Sequence, residues 1–159
     1  IKPNNNTLSS ITALPTGLVS GTIEQVVQKV SGFSGGTDLE STSFVSTYLT
    51  ETITPSSTSS KILINYMWEH KFNATSEGYG TAIHRAISGG SSGNISETEQ
   101  NQYNYLQGFS SETRFYPSLQ YVDSPSTTSA ITYTIYIKGH TTSRIEWQPK
   151  RIILIEIGG

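Results

Sequence analysis

Residues 119–159 read LQYVDSPSTTSAITYTIYIKGHTTSRIEWQPKRIILIEIGG, and the alternation within this stretch decides the fold class. Ile131, Tyr133, Ile135 and Ile137 share one phase, while Thr132, Thr134, Tyr136 and Lys138 share the other, the period-two pattern of a half-buried strand. The preceding DSPSTTS is a turn cluster, in which Asp123 is expected to cap its own turn. The closing RIILIEI has no polar face and reads as a strand covered on both sides. A buried strand there implies a closed sandwich.

Upstream, the same pattern repeats. GTIEQVVQKV (21–30) also fits helical spacing, but its β-branched residues and the SGFSGG turn after it favour a strand. Phe44–Thr54 alternates through Leu49, Glu51 and Ile53 and stops at Pro55. Lys61–Phe72 places Ile62, Ile64, Tyr66 and Trp68 on one face and reads as a central strand. In Tyr79–Ile87 the residues Tyr79, Thr81, Ile83, Arg85 and Ile87 are in phase, and Ala82, His84 and Ala86 form an opposite face small enough for another layer to approach. Ser88–Gln102 is the longest polar stretch and reads as an exposed loop. Tyr103–Phe109 and Thr113–Val122 complete the set, with Pro117 marking an edge or a bulge. About eight to ten short strands at hairpin spacing predict an all-β, antiparallel two-sheet β-sandwich, jelly-roll-like, over residues 21–159. Residues 1–20, with two Pro and an Asn run, read as an extended N-terminal arm.

Composition narrows the function. A length of 159 residues is enough for one core without staples. The net charge of -2 and the lack of basic clusters argue against nucleic acid as a partner. No window reaches the roughly 20 apolar residues of a membrane helix, so no membrane insertion is expected, and IKPNNNTLSS lacks a signal-peptide layout. With no Cys there is neither a thiolate metal site nor a Cys nucleophile. SGGSSGN lacks the Lys-Ser/Thr ending of a phosphate loop, and TDLE (37–40) supplies too few oxygens for calcium. No cofactor and no metal are therefore expected. His84 reads as a buried hydrogen-bonded or interface histidine, because nothing near it in sequence supplies a catalytic partner. Tyr103, Tyr105, Phe109, Phe115, Tyr116 and Tyr121 gather in the middle of the chain, where alternate rings fill a core or an interface and the rest form a ligand surface.

Four phrases carry a resemblance: LSSITALPTGLVSGTIEQVVQ, TSFVSTYLTETITPSSTSSKILINY, DSPSTTSAITYTIYIKG and IILIEIGG. Together they resemble a recurrent domain of tailed-bacteriophage virion proteins, especially the distal tail-fibre modules of marine phages; about Asn73 to Ser111 matches least. The resemblance implies a non-enzymatic virion structural protein, a homotrimer, that contributes to host-surface attachment. Its expected partners are copies of itself, other virion proteins through residues 1–20, and a host-surface glycan or protein. Receptor binding is expected at Tyr79, Asn94, Glu97, Glu99, Tyr103 and Tyr105. Two alternatives are a capsid-decorating or tail-structural protein anchored by the arm, and a polysaccharide-degrading tail enzyme using Glu97, Glu99 and Glu112.

Overall fold

The computed structural model describes residues 21–30, 37–39, 41–72, 76–96, 104–107, 113–139 and 145–159. The arm expected at 1–20 lies outside them. The described residues form strands and connections without a helix: β1 (Ile23–Val30), β2 (Thr37–Leu39), β3 (Val45–Ile53), β4 (Lys61–Phe72), β5 (Ser76–Ile87), β6 (Ser92–Asn94), β7 (Asn104–Gln107), β8 (Thr113–Phe115), β9 (Ser118–Asp123), β10 (Ile131–Gly139) and β11 (Ile145–Ile157).

Every pairing is antiparallel. One sheet runs β1-β11-β4 with β8 and β9 along the far side of β4; the other runs β3-β10-β5-β6, with β7 also on β5. The pairs β1·β11, β3·β10, β4·β9 and β5·β6 are rungs of one long ribbon closed at the β5–β6 hairpin. Rolling that ribbon brings β11 against β4 and β10 against β5, which makes a jelly roll. The hairpin closes through Gly90 N to Ile87 O (3.0 Å) and Ile87 N to Ser91 O (3.0 Å), and Gly89 takes the left-handed φ of +70° that a side chain disfavours. The expected loop at Ser88–Gln102 thus contributes the short edge strand β6.

The expected phases hold. Ile131, Tyr133, Ile135 and Ile137 of β10 face Ile62, Ile64, Tyr66 and Trp68 of β4 across the core, joined by Leu49, Ile53, Ile83, Ile152 and Leu154. Tyr66 stacks on Trp68 at 5.4 Å and Tyr79 meets Trp68 edge-on at 5.7 Å. Pro117 falls between β8 and β9, at the sheet edge, as its missing N–H requires.

RIILIEI departs from its reading. Ile152, Leu154 and Glu156 are buried between the sheets, but Ile153, Ile155 and Ile157 are only half-buried on the outer face. Among the described residues their cover is lateral, from neighbouring strands rather than from another layer. Register places Val26, Ile155, Leu63 and Val122 in one row across β1, β11, β4 and β9. Val26 is 56% and Val122 52% exposed, so the row ends in open apolar surface on both sides.

Asp123 also departs from its reading. Its position opposite Ile62 turns the carboxylate inward, where it accepts two bonds from Arg85 Nη1 (2.9 and 3.0 Å) and one from Tyr133 Oη (2.7 Å). It ties the two sheets together rather than capping its own turn. Burial, and then the bond to Asp123, push the Tyr133 phenol up.

Candidate functional site

The outer face of the β3-β10-β5-β6 sheet holds a concavity. Alternation sends Thr132, Thr134, Tyr136 and Lys138 of β10 outward. Register then sets Thr132 beside Ala86 and Thr52, Thr134 beside His84 and Thr50, and Tyr136 beside Ala82 and Ser46. Asn94 of β6 lies opposite His84. Phe44, Ala82, His84, Asn94 and Tyr136 line a cavity of about 160 Å³.

Each wall has a local cause. Ala82 is a floor because its methyl leaves room between two larger neighbours, and it is 3% exposed. His84 and Tyr136 lean together, ring centres 5.4 Å apart and planes tilted by 39°. Lys138 Nζ sits 4.3 Å above the Phe44 ring, so that face of the ring is covered by a cation. Asn94 Oδ1 accepts from Ser96 N (3.0 Å) and Ser96 Oγ (2.7 Å), which fixes the carboxamide plane. Beside the cavity, Thr50 Oγ1 donates to Tyr133 O (3.1 Å), so Thr134 is the donor in the 3.1 Å Thr50–Thr134 pair. A second threonine pair, Thr52–Thr132, closes at 2.9 Å.

At the same level β3 is bulged. Ser46 pairs with Tyr136 and Thr50 with Thr134, leaving Thr47, Tyr48 and Leu49 opposite Ile135. Thr47 and Leu49 are buried, whereas Tyr48 takes a φ of 58° and is 86% exposed. Side chains hold this shape. Thr47 Oγ1 donates to Ile135 O (2.6 Å) and accepts from Leu49 N (3.2 Å), and Ser46 Oγ accepts from Tyr48 N (3.2 Å). Replacing Thr47 by Val removes the donor and acceptor but keeps the shape, so a loss of about 1–2 kcal/mol in urea unfolding is expected. An unchanged midpoint would show that the bulge does not depend on this hydroxyl.

Of the residues expected to bind a receptor, Asn94 lies in this site. Tyr79 does not: the inner phase of β5 turns it into the core, where it is 3% exposed, and burial pushes its phenol up. Tyr105 falls on β7 opposite Gly78. Glu97, Glu99 and Tyr103 lie outside the described residues, as does Glu112. Sequence reasoning set His84 aside as structural and did not select Tyr136, Phe44 or Tyr48. The signal for Tyr136 and Tyr48 is a lone aromatic on the otherwise Ser/Thr-rich outer phases of β10 and β3, and Phe44 stands one residue before β3 in the phase of Tyr48.

No family model matches the chain, and no curated protein does. Among solved structures, a chain of infectious bursal disease virus, Gx strain, is similar over 85% of this chain at 10% identity, with a TM-score of 0.53. This chain covers 32% of that one, about a third of its length. A chain of the Gt strain of the same virus is similar at 10% identity, over 89% of this chain and 31% of that one, with a TM-score of 0.42. TmCBM61, solved in complex with beta-1,4-galactotriose, is similar at 12% identity over 84% of each chain, with a TM-score of 0.39. At such identity the first of these is a likeness of fold alone.

Proposed function

We propose that the chain is a structural component of a virus particle: a distal module of a tailed-bacteriophage tail fibre that assembles as a homotrimer and contributes to host-surface attachment. The observation that carries the reading is the apolar row Val26–Ile155–Leu63–Val122 on the outside of a sandwich that already has a complete core. A row of this kind suits cover by another protein surface, and copies of one chain supply it most simply. The resemblance of the turn and strand phrases to those of tail-fibre modules points the same way.

The reading is non-enzymatic. In support, the buried carboxylates among the described residues are engaged in holding the fold. Glu156 binds the 56–60 turn, Asp123 binds Arg85 and Tyr133, and Glu69 binds Arg114 and Lys150. Burial alone would raise the Glu69 pKa, but the Lys150 and Arg114 bonds outweigh it and hold the group below the ordinary glutamate range.

Leu63→Lys places a charge at the centre of the row without touching the core. The expected result is a trimer for the parent chain by sedimentation velocity, and a folded monomer with unchanged far-ultraviolet circular dichroism for the variant. A parent chain that sediments as a monomer would remove the assembly role. Antibody raised against the chain should decorate the distal ends of tail fibres on intact virions. Decoration of the shell would favour a capsid-decorating protein instead, and no decoration would end the virion reading.

A further inference from the structure

We propose that the outer face of the β3-β10-β5-β6 sheet binds one hexose unit of a neutral oligosaccharide, seated between Tyr136, His84 and Asn94, with the Tyr48 ring as a second platform. The proposal deepens the attachment reading above and rests on it only for biological purpose.

A hexose has C–H groups on its ring faces and hydroxyls around its rim, so it needs a flat apolar contact beside fixed hydrogen-bonding groups. The site supplies both. Tyr136 and His84 form a tilted aromatic pair over a methyl floor at Ala82, and small side chains along β5 let a ring come close to the sheet. Asn94 lines the same cavity with its Oδ1 held by Ser96 N and Ser96 Oγ, so a polar group stands in a fixed position at the rim. The volume of about 160 Å³ suits one sugar ring rather than a peptide segment.

Charge selects among ligands. The described lining residues include no carboxylate, and Lys138 beside them is seated on Phe44. Phosphate-rich ligands would call for several cations, and a purely apolar ligand would strip water from Asn94 and His84 without replacing it.

Tyr48 adds an independent observation. A left-handed backbone is unfavourable for an aromatic residue, and here it is maintained by side-chain bonds from Ser46 and Thr47 while the ring stays 86% exposed. An Asn or Gly would fit that backbone at lower cost. The fold therefore holds a large ring in solvent on β3, next to the strand that carries Tyr136, against its own conformational preference, which is what a platform for a partner requires.

The test is an amide chemical-shift titration of the full chain with maltotriose, cellotriose and mannotriose in turn. Saturable shifts at His84, Asn94 and Tyr136, with at least one sugar and without shifts along the Val26–Val122 row, are the expected result. Tyr136→Thr keeps the outer Thr pattern of β10 and is expected to weaken binding by about tenfold or more. Tyr48→Asn should weaken binding while its melting temperature stays level or rises. Shifts with none of the three sugars, saturable shifts confined elsewhere, or undiminished affinity in Tyr136→Thr would each overturn the proposal. Virion decoration without sugar binding removes this site and spares the virion role; sugar binding without decoration does the reverse.

Discussion

Glu156→Ala lowers the melting temperature by about 10 °C, as an expected loss of roughly 3–5 kcal/mol implies for a chain of this length. Glu156 is 1% exposed, and its Oε1 accepts from Ser56 N (2.6 Å), Ser56 Oγ (2.6 Å) and Ser60 Oγ (2.8 Å). Alanine would leave a void beneath the turn, and while exposed Ser56 can turn to water, Ser60 is 1% exposed and out of its reach. The same turn meets the chain end, since a Cβ on Gly159 would lie 2.3 Å from Ser59 O, so loosening it frees the end of β11 as well. Burial opposes ionisation of Glu156, but the Ser56 and Ser60 bonds outweigh burial and hold its pKa below the ordinary value. A depressed folded pKa means stability that is complete above the unfolded glutamate value of about 4.3 and is lost as pH falls below it. Glu69 carries the same sign. Urea unfolding should therefore show a fall in stability below about pH 4.3 that is shallower in Glu156→Gln. An alanine variant that melts within about 2 °C of the parent, less than 1 kcal/mol on this scale, would refute the clamp.

The two ends of that clamp lie in different sequence phrases, TPSSTSSKI and IILIEIGG, separated by 100 positions between Ser56 and Glu156. Each phrase is legible alone as a turn and as a strand. That Glu156 interrupts an apolar run on its inner phase is visible in sequence; what it binds is not, because the partner is set by the rolling of the ribbon. The same limit explains Asp123. A local reading of DSPS gives an Asp at the start of a turn, whereas the β4–β9 register aims the carboxylate at the inner phases of β5 and β10. Period-two reasoning succeeded for β4 and β10 since one phase of each is fully buried and the other is not, which fixes register. It was less informative for β11, whose outer phase is apolar although no layer of the described residues covers it. The candidate site was partly legible. Ala82, His84 and Ala86 were recognised as a face that another body can approach, but the bulge that presents Tyr48 leaves no mark on the alternation of Thr47, Leu49, Glu51 and Ile53. Nor does sequence alone tell that Tyr79 faces Trp68 while Asn94 faces the cavity.

Asp123→Ala is expected to cost about 3–5 kcal/mol, because it leaves one charge and one hydroxyl without their acceptor between the sheets. Tyr133 is fully buried, and the Arg85 side chain is 23% exposed, so Arg85 recovers some hydration and Tyr133 recovers none. Tyr133→Phe keeps the ring and the two Arg85–Asp123 bonds and removes a single hydrogen bond to a charged acceptor, an expected loss of about 1.5–3 kcal/mol. The order of the two variants follows from what each leaves behind. In the first an ion and a donor lose their partner, and in the second the carboxylate stays paired with its guanidinium. Since the hydroxyl has nothing left to bind once Asp123 is gone, adding Tyr133→Phe to Asp123→Ala should cost less than it does in the parent, with a coupling of about 1 kcal/mol or more. Urea denaturation of the four members of this cycle at pH 7 measures it. Equal losses for the two single variants, or strict additivity in the double variant, would show that Asp123 does not serve as the shared acceptor joining β5, β9 and β10.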